Sequence, residues 1–262
     1  NPSVSGSFDG RSLGLANASA RDFLGGDPAV KGNFALGSNG VVAVSGFNFT
    51  SPNLHFANAT ASYNPASGQF AVNAKGASRQ YGPISIVASG TSTAPTATIR
   101  MPSPDFGFGI TNLVAEVRPA QGGGVFVTAT GDSPEGDLDA RVILLFGEGR
   151  PLTLDIQRAA FAGMVARGRV VQTPAGPFQG QLLVGGRGLT AKADLSNQGG
   201  HQRADVVASA LNARIPIDPP IAIGKGAAKF SVVMVPGKPQ VSGSFRASNV
   251  VRDGLVLTDV EG

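Results

Sequence analysis

A short sequence is repeated near the two ends of the chain, and it limits how the chain can fold more than any other feature. Val-Ser-Gly-Ser-Phe occurs at residues 4–8 and again at residues 241–245, and a related stretch occupies residues 44–49. Each copy alternates apolar and polar residues, which is the pattern of a β-strand with one apolar side. A chain that repeats strands builds a long surface. The repeat therefore predicts an extended sheet with one long face, and it disfavours an enzyme built around a pocket.

Glycine and proline are abundant, with 37 Gly and 18 Pro among 262 residues, and the apolar residues lie in short alternating runs between them. This balance is typical of many strands joined by many turns. We count about 14 strand candidates and one short helix candidate over residues 16–24. Residues 155–169 also fit helical spacing, but Gly163 and Gly168 favour a strand there. The predicted fold class is all-β, an elongated open β-groove (β-taco) with little or no helix, and a closed sandwich is the alternative.

Period-two runs place apolar side chains on one side of the predicted strands. The two apolar pairs within residues 42–49 have opposite parity, and a β-bulge at Gly46 would bring all four side chains onto one face. We predict the same device at Gly6 and Gly243. The residues predicted to line an apolar groove are Val42, Val44, Phe47, Phe49, Val125, Val127, Val142, Leu144, Phe146, Leu152, Leu154, Ile156, Leu182, Val184, Phe230, Val232, Met234, Leu255 and Leu257.

Groups that carry chemistry are sparse. The two histidines, His55 and His201, lie far apart in the sequence, with no nucleophile elbow or metal-ligand spacing around them. The acidic stretch at residues 132–139 lacks the ligand order of an EF-hand loop. Lys and Arg residues are scattered singly, and the chain has no Trp and two Tyr, which disfavours a nucleic-acid surface. We therefore predict no catalytic residue, no enzyme activity, no cofactor, no metal site and no nucleic-acid partner.

The apolar face is the remaining candidate for function. If a second layer covers it, the face is an ordinary core, as in a secreted or surface adhesion module built from β-repeats. If it stays open, it is larger than the apolar patches that soluble monomers tolerate, and we expect it to hold a ligand. Phospholipid acyl chains suit such a face, because moving about 30 methylenes through water costs roughly 24 kcal/mol, at about 0.8 kcal/mol each.

Several stretches in the second half of the chain carry a family resemblance. They are Leu-Thr-Leu-Asp-Ile at residues 152–156, Ala-Arg-Gly-Arg-Val-Val-Gln-Thr-Pro-Ala-Gly-Pro at 166–177, Phe-Gln-Gly-Gln-Leu at 178–182, and Val-Ser-Gly-Ser-Phe-Arg-Ala-Ser-Asn-Val at 241–250. On these stretches, residues 137–262 resemble the repeating β region of the TamB family, the translocation and assembly module proteins of the bacterial envelope, within the AsmA-like group of bridge-type lipid transfer proteins. Residues 1–136 are similar more loosely, and the two segments are expected to form one continuous elongated sheet.

The resemblance implies a location and partners. A TamB-like parent protein is anchored in the inner membrane of a Gram-negative bacterium by one N-terminal helix and crosses the periplasm as a β-taco with an apolar lining. It pairs with TamA, an outer-membrane barrel protein, in outer-membrane protein assembly, and it moves phospholipid between the membranes. Asn1 is not an initiator Met, and we expect it to lie within a longer chain. The resemblance carries over no catalytic residue, so only the lining positions apply here.

Overall fold

The computed structural model describes residues 4–15, 21, 24–106, 109–147, 149–215, 219–235 and 238–262. Their regular structure is a series of β-strands. The strands are β1 (Val4–Gly10), β2 (Ala29–Leu36), β3 (Val42–Thr50), β4 (Leu54–Asn64), β5 (Gln69–Ser78), β6 (Gly82–Gly90), β7 (Pro95–Met101), β8 (Thr111–Pro119), β9 (Val125–Asp132), β10 (Leu138–Gly147), β11 (Arg150–Phe161), β12 (Met164–Gln172), β13 (Phe178–Gly186), β14 (Leu189–Gln198), β15 (His201–Ile215), β16 (Ile221–Met234), β17 (Gln240–Arg252) and β18 (Leu255–Glu261). The helix predicted over residues 16–24 falls largely on residues outside this description.

Hydrogen bonds join the 18 strands into one antiparallel sheet that is not closed. The prediction of an all-β fold with an open sheet is confirmed. The strand interpretation of residues 155–169 is also confirmed, since they belong to β11 and β12. The predicted number of about 14 strands was too low. Residues 155–169 read as one run in the sequence, although the turn between β11 and β12 lies within them.

Tight hairpins connect several strands in the second half of the chain. They are two-residue turns in which both residues have positive φ, as type I′ turns require. These turns are Ala162–Gly163, Arg187–Gly188, Gly199–Gly200 and Asp253–Gly254. The twist of a type I′ turn matches that of its flanking strands, so each turn places the next strand directly beside the last. The register of the sheet in this part of the chain is therefore set locally.

The chain divides into two compact units. Unit 1 comprises Asn1–Pro119 and Thr128–Pro134, and unit 2 comprises Ala120–Val127 and Glu135–Gly262. Strand β9 contributes its first three residues to unit 2 and its remaining residues to unit 1. The sequence-based division at residue 136 lies two residues after the end of unit 1.

The chain has little of the dense core that globular proteins form. Among the described residues, no large side chain is fully buried. The accessible surface is 15727 Å², about half more than the roughly 10,600 Å² that size scaling gives for a compact monomer of this mass. A closed sandwich would bury the inner faces of two sheets. The side chains of this chain are much more exposed than a closed sandwich would leave them.

Candidate apolar binding face

The apolar side of unit 2 is built from three rows of residues that run across β10–β17. Within each row, neighbouring residues are cross-strand partners, so their side chains lie on the same face of the sheet. The first row is Val142, Ile156, Gly168, Leu182, Ala193, Val206, Phe230 and Gly243; the second is Leu144, Leu154, Val170, Gly180, Leu195, Ala204, Val232 and Val241; the third is Ala140, Ala159, Ala166, Val184, Ala191, Ala208, Ala228 and Phe245. Every position in these rows is apolar or glycine. We call this surface the apolar face of unit 2.

The apolar face of unit 2 is sheltered but not covered. Val170, 5% exposed, is its one buried residue, and the other members of the three rows are half-buried or exposed. Along β14 the apolar residues are half-buried, whereas Thr190, Lys192 and Asp194 on the opposite side are exposed. The apolar side is therefore the less exposed side of β14, and we refer to the apolar face of unit 2 as the trough.

The opposite face of unit 2 is mainly polar and carries a hydrogen-bonded network between β15 and β16. The Arg203 guanidinium donates to both carboxylate oxygens of Asp205, at 2.9 and 2.7 Å, and to Ser231 Oγ at 3.1 Å. Ser231 Oγ in turn donates to Asp205 Oδ1. Because Arg203 and Ser231 both donate to the charged carboxylate, they lower the pKa of Asp205 to about 2.

One row of cross-strand neighbours on the polar face is basic. It contains five cations, exposed leucine and valine side chains, one serine and no acid. Its members in strand order from β10 to β17 are Arg141, Arg158, Arg167, Leu183, Lys192, Val207, Lys229 and Ser244. We call it the basic row. These cations are isolated from one another in the sequence, and the strand register brings them together.

Unit 1 has an apolar face of its own. One complete row of cross-strand partners crosses β1–β8, and all its members are apolar or glycine. The row is Gly6, Phe34, Val44, Ala61, Val72, Ala88, Ala97 and Val117. The residues beside it on the other face, such as Ser5, Ser62 and Ser89, are small or polar. Units 1 and 2 therefore each separate an apolar side from a polar side.

Paired bulges shape an aromatic concavity in unit 1. Gly46 has φ of 56° and Asn58 has φ of 52°, and the register between β3 and β4 shifts at both points. The Asn48 amide stabilises them, because its Nδ2 donates to Gly46 O at 2.7 Å and its Oδ1 accepts from the Asn58 backbone N–H at 3.3 Å. The concavity measures about 530 Å³. It is lined by Phe8, Val44, Phe47, Phe49, Leu54, Phe56, Ala59, Thr60, Ala61, Val72 and Ala74.

The bulge prediction is right at Gly46 and wrong at Gly6 and Gly243. The shift at Gly46 places the two apolar pairs of residues 42–49 on one face, as expected. At Gly6 and Gly243 the strand register continues without a shift. Gly6 lies opposite Phe34, and a Cβ at Gly6 would come within 2.8 Å of the Phe34 ring. These two glycines make room for a phenylalanine on the neighbouring strand.

The predicted lining residues lie in several different parts of the structure. Val142, Leu144, Leu154, Ile156, Leu182, Val184, Phe230 and Val232 belong to the three rows of unit 2, whereas Val44, Phe47 and Phe49 line the aromatic concavity of unit 1. Val42 pairs with Leu36 on the apolar face of unit 1. Leu152 lies two residues before Leu154 in β11, so its side chain is on the same side of the strand. Val125 is buried and Val127 half-buried in β9. Phe146, Met234, Leu255 and Leu257 are exposed by 40% or more, at the ends of their strands or in β18.

Sequence reasoning missed several residues of both faces. Phe8 and Phe245 lie within the two copies of the repeated pentapeptide, whose period-two pattern was a usable signal. Phe56 was hidden because the bulge at Asn58 breaks the alternation of β4. Val206 was hidden because its neighbour Val207, on the polar face, is also apolar.

Side chains that could ligate a metal ion do not cluster in the described part of the chain. His55 and His201 lie in β4 and β15, in different units. Among the residues that the structure describes, no group of three or more His, Asp or Glu side chains could hold a metal ion. Within the same residues, no helix is long and apolar enough to cross a bilayer. The apolar faces are thus the most extensive chemical feature of the described chain.

Comparisons with known proteins return no relatives. No protein-family model, no curated protein and no solved structure matches this chain. The resemblance to the TamB family therefore stays a prediction from the sequence.

Proposed function

We propose that this chain is a periplasmic segment of a TamB-like protein whose apolar face carries phospholipid acyl chains between the inner and outer membranes. In this proposal the parent protein is anchored in the inner membrane. Assembly of outer-membrane proteins with a TamA-like barrel is a task of that parent. The observation that supports the proposal best is the set of three uninterrupted apolar rows across eight strands of unit 2.

The physical argument rests on continuity. A hydrocarbon chain that leaves a bilayer loses about 0.8 kcal/mol for each methylene it exposes to water. The three rows contain no polar side chain at which an acyl chain would have to leave apolar contact. Each strand of the three rows presents apolar residues or glycine, so a bound lipid can shift along the face without passing a polar side chain. Transfer of this kind involves no covalent step, and we propose no enzymatic activity.

The alternative, an adhesion module with a closed core, requires the apolar residues to be buried. Val241 is 67% exposed and Phe245 is 47% exposed, although both belong to the rows of unit 2. A closed core would leave such side chains almost without solvent contact. The burial therefore favours the lipid-carrying function over the adhesion module.

Neighbouring valines in β16 provide a matched test of the proposal. Val232 lies on the apolar face between Ala204 and Val241, and Val233 lies on the polar face between Arg203 and Gln240. Val232→Asp places an unpaired charge in the trough, which is costly beside acyl chains, so we expect at least a fivefold loss of co-purifying phospholipid. Val233→Asp places its charge beside Arg203, so we expect wild-type lipid content. Mass spectrometry of lipid extracted from the chain purified without detergent measures both.

A second pair guards against a local folding effect. Leu144 lies on the apolar face of β10, and Leu145 pairs with Thr153 on the opposite face. Leu144→Asp should lower lipid content as Val232→Asp does, and Leu145→Asp should not. Circular dichroism checks that all four variants keep their strand content. If the wild-type chain carries no phospholipid, or if folded variants of both faces carry equal amounts, the proposal is wrong.

A further inference from the structure

The basic row gathers charge on the face opposite the proposed lipid trough. With strands about 4.8 Å apart, the row from β10 to β16 spans roughly 29 Å. Arg141 and Arg158 are direct cross-strand partners, and the bulge in β11 places Arg167 beside them. Like charges directly opposite each other destabilise a sheet, so stability does not account for this arrangement.

The cations of the basic row are incompletely neutralised. Arg141 and Arg158 share one carboxylate, that of Asp139, at 3.7 and 2.9 Å. Lys192 pairs with Asp194 at 3.1 Å, and Lys229 lies near enough to Asp205 to help lower the pKa of that carboxyl. Arg167 forms no ion pair with any described residue, so the five cations of the row outnumber the carboxylates that pair with them. The row therefore presents net positive charge to solvent.

Large apolar side chains are interleaved with these cations. Leu183 is 53% exposed between Arg167 and Lys192, and Val207 is 54% exposed between Lys192 and Lys229. A face that served only to solvate the sheet would not need a leucine and a valine there. Exposed apolar side chains among cations are the composition of surfaces that lie in a membrane interface, where the cations meet lipid phosphates and the apolar groups enter the acyl boundary.

We propose that the basic row docks unit 2 onto the surface of an anionic phospholipid bilayer. Charge complementarity selects the anionic headgroups, and Leu183 and Val207 insert between them. The row has no aromatic side chain on which bases could stack, which disfavours single-stranded nucleic acid. The proposal goes beyond the carriage of single lipids, because it concerns the opposite face and an intact membrane.

Vesicle sedimentation tests the docking surface with the whole chain. We expect binding to vesicles of phosphatidylglycerol and phosphatidylcholine, much weaker binding to phosphatidylcholine alone, and a decline as NaCl rises from 50 to 500 mM. Each cation near an anionic surface contributes about fivefold in affinity. The double variant Arg167→Gln/Lys229→Gln should therefore bind at least tenfold more weakly, and Leu183→Ser/Val207→Ser should also bind more weakly at unchanged charge.

A charge-matched control uses Arg214 and Arg252, which are exposed near the ends of β15 and β17 and lie outside the row. Arg214→Gln/Arg252→Gln removes the same charge and should bind like the wild type. Equal loss in both double variants would show unspecific attraction, and binding to soluble polyphosphate as tight as to vesicles would show a general polyanion site. Either result, or equal binding to uncharged vesicles, overturns the proposal. Val232→Asp should keep vesicle binding, so failure of lipid carriage and failure of docking are separately visible.

Discussion

At the scale of single residues, glycine and phenylalanine form a recurrent cross-strand pair on the apolar faces. The pairs are Gly6 with Phe34, Gly32 with Phe8, Gly76 with Phe56, Gly90 with Phe70, and Gly243 with Phe230. A glycine weakens a strand because it has no side chain to pack, and a neighbouring aromatic ring that covers it restores contact. The repeated Val-Ser-Gly-Ser-Phe motif thus places Val, Gly and Phe on the apolar side and both serines on the polar side.

Gly243 gives this pairing a stability test. A Cβ at Gly243 would lie within 2.5 Å of Phe230 Cα, which is an overlap with backbone that flexible side chains cannot relieve. We expect Gly243→Ala to destabilise the chain by about 1–3 kcal/mol. Gly185→Ala in β13 is the control, because its nearest atom, Leu189 O, would be 3.8 Å away. Urea unfolding followed by circular dichroism compares the two variants, and equal midpoints would contradict this role for Gly243.

At the scale of elements, the sequence predicts strands better than it predicts their partners. The alternating runs and the bulge at Gly46 are local signals, and both were read correctly. The predictions at Gly6 and Gly243 were wrong because a glycine within a strand can either form a bulge or make room for an aromatic ring on the neighbouring strand. That ring belongs to a different strand, so the local sequence does not show it. The basic row was invisible for the same reason. Arg141, Arg158 and Arg167 lie on three different strands, and only the strand register shows that they are neighbours.

The network of Arg203, Asp205 and Ser231 joins β15 to β16, and we expect it to make the stability of the chain depend on pH. The pKa of Asp205 is lowered in the folded chain from 3.8 to about 2. A carboxylate with a depressed folded pKa stabilises the fold above its unfolded pKa, and this contribution is lost as pH falls through the folded pKa. The wild type should therefore lose part of its thermal stability between about pH 4 and pH 2, which are close to the unfolded and folded pKa of Asp205.

Asp205→Asn isolates this contribution. The amide cannot ionise, so the variant should be less stable than the wild type at pH 6 and should show a smaller fall in melting temperature between pH 4 and pH 2. Asp259→Asn in β18 is the control, since the structure shows no ion pair for Asp259 among the described residues. If Asp205→Asn and the wild type have parallel melting profiles over this range, the network does not act through the ionised carboxylate.

At the scale of the whole molecule, stability comes from many strand pairs and little from a shared core. Size scaling gives an unfolded surface of roughly 38,000 Å² for this mass, and the folded chain keeps 15727 Å² of surface. The surface buried on folding is therefore about one fifth less than that of a compact protein of the same length. The missing burial corresponds to faces that stay open in both units. An open face is what the proposed lipid carriage requires.

This deficit predicts an unusual unfolding signature. Both the denaturant m-value and the heat-capacity change of unfolding scale with the surface that unfolding exposes. We expect each to be about four fifths of the value found for compact proteins of this length. Urea titration and calorimetry of the chain stripped of lipid measure the two quantities independently. Values equal to those of compact proteins would mean that the apolar faces are covered in solution, and both the trough and the lipids proposed to occupy it would then have to be abandoned.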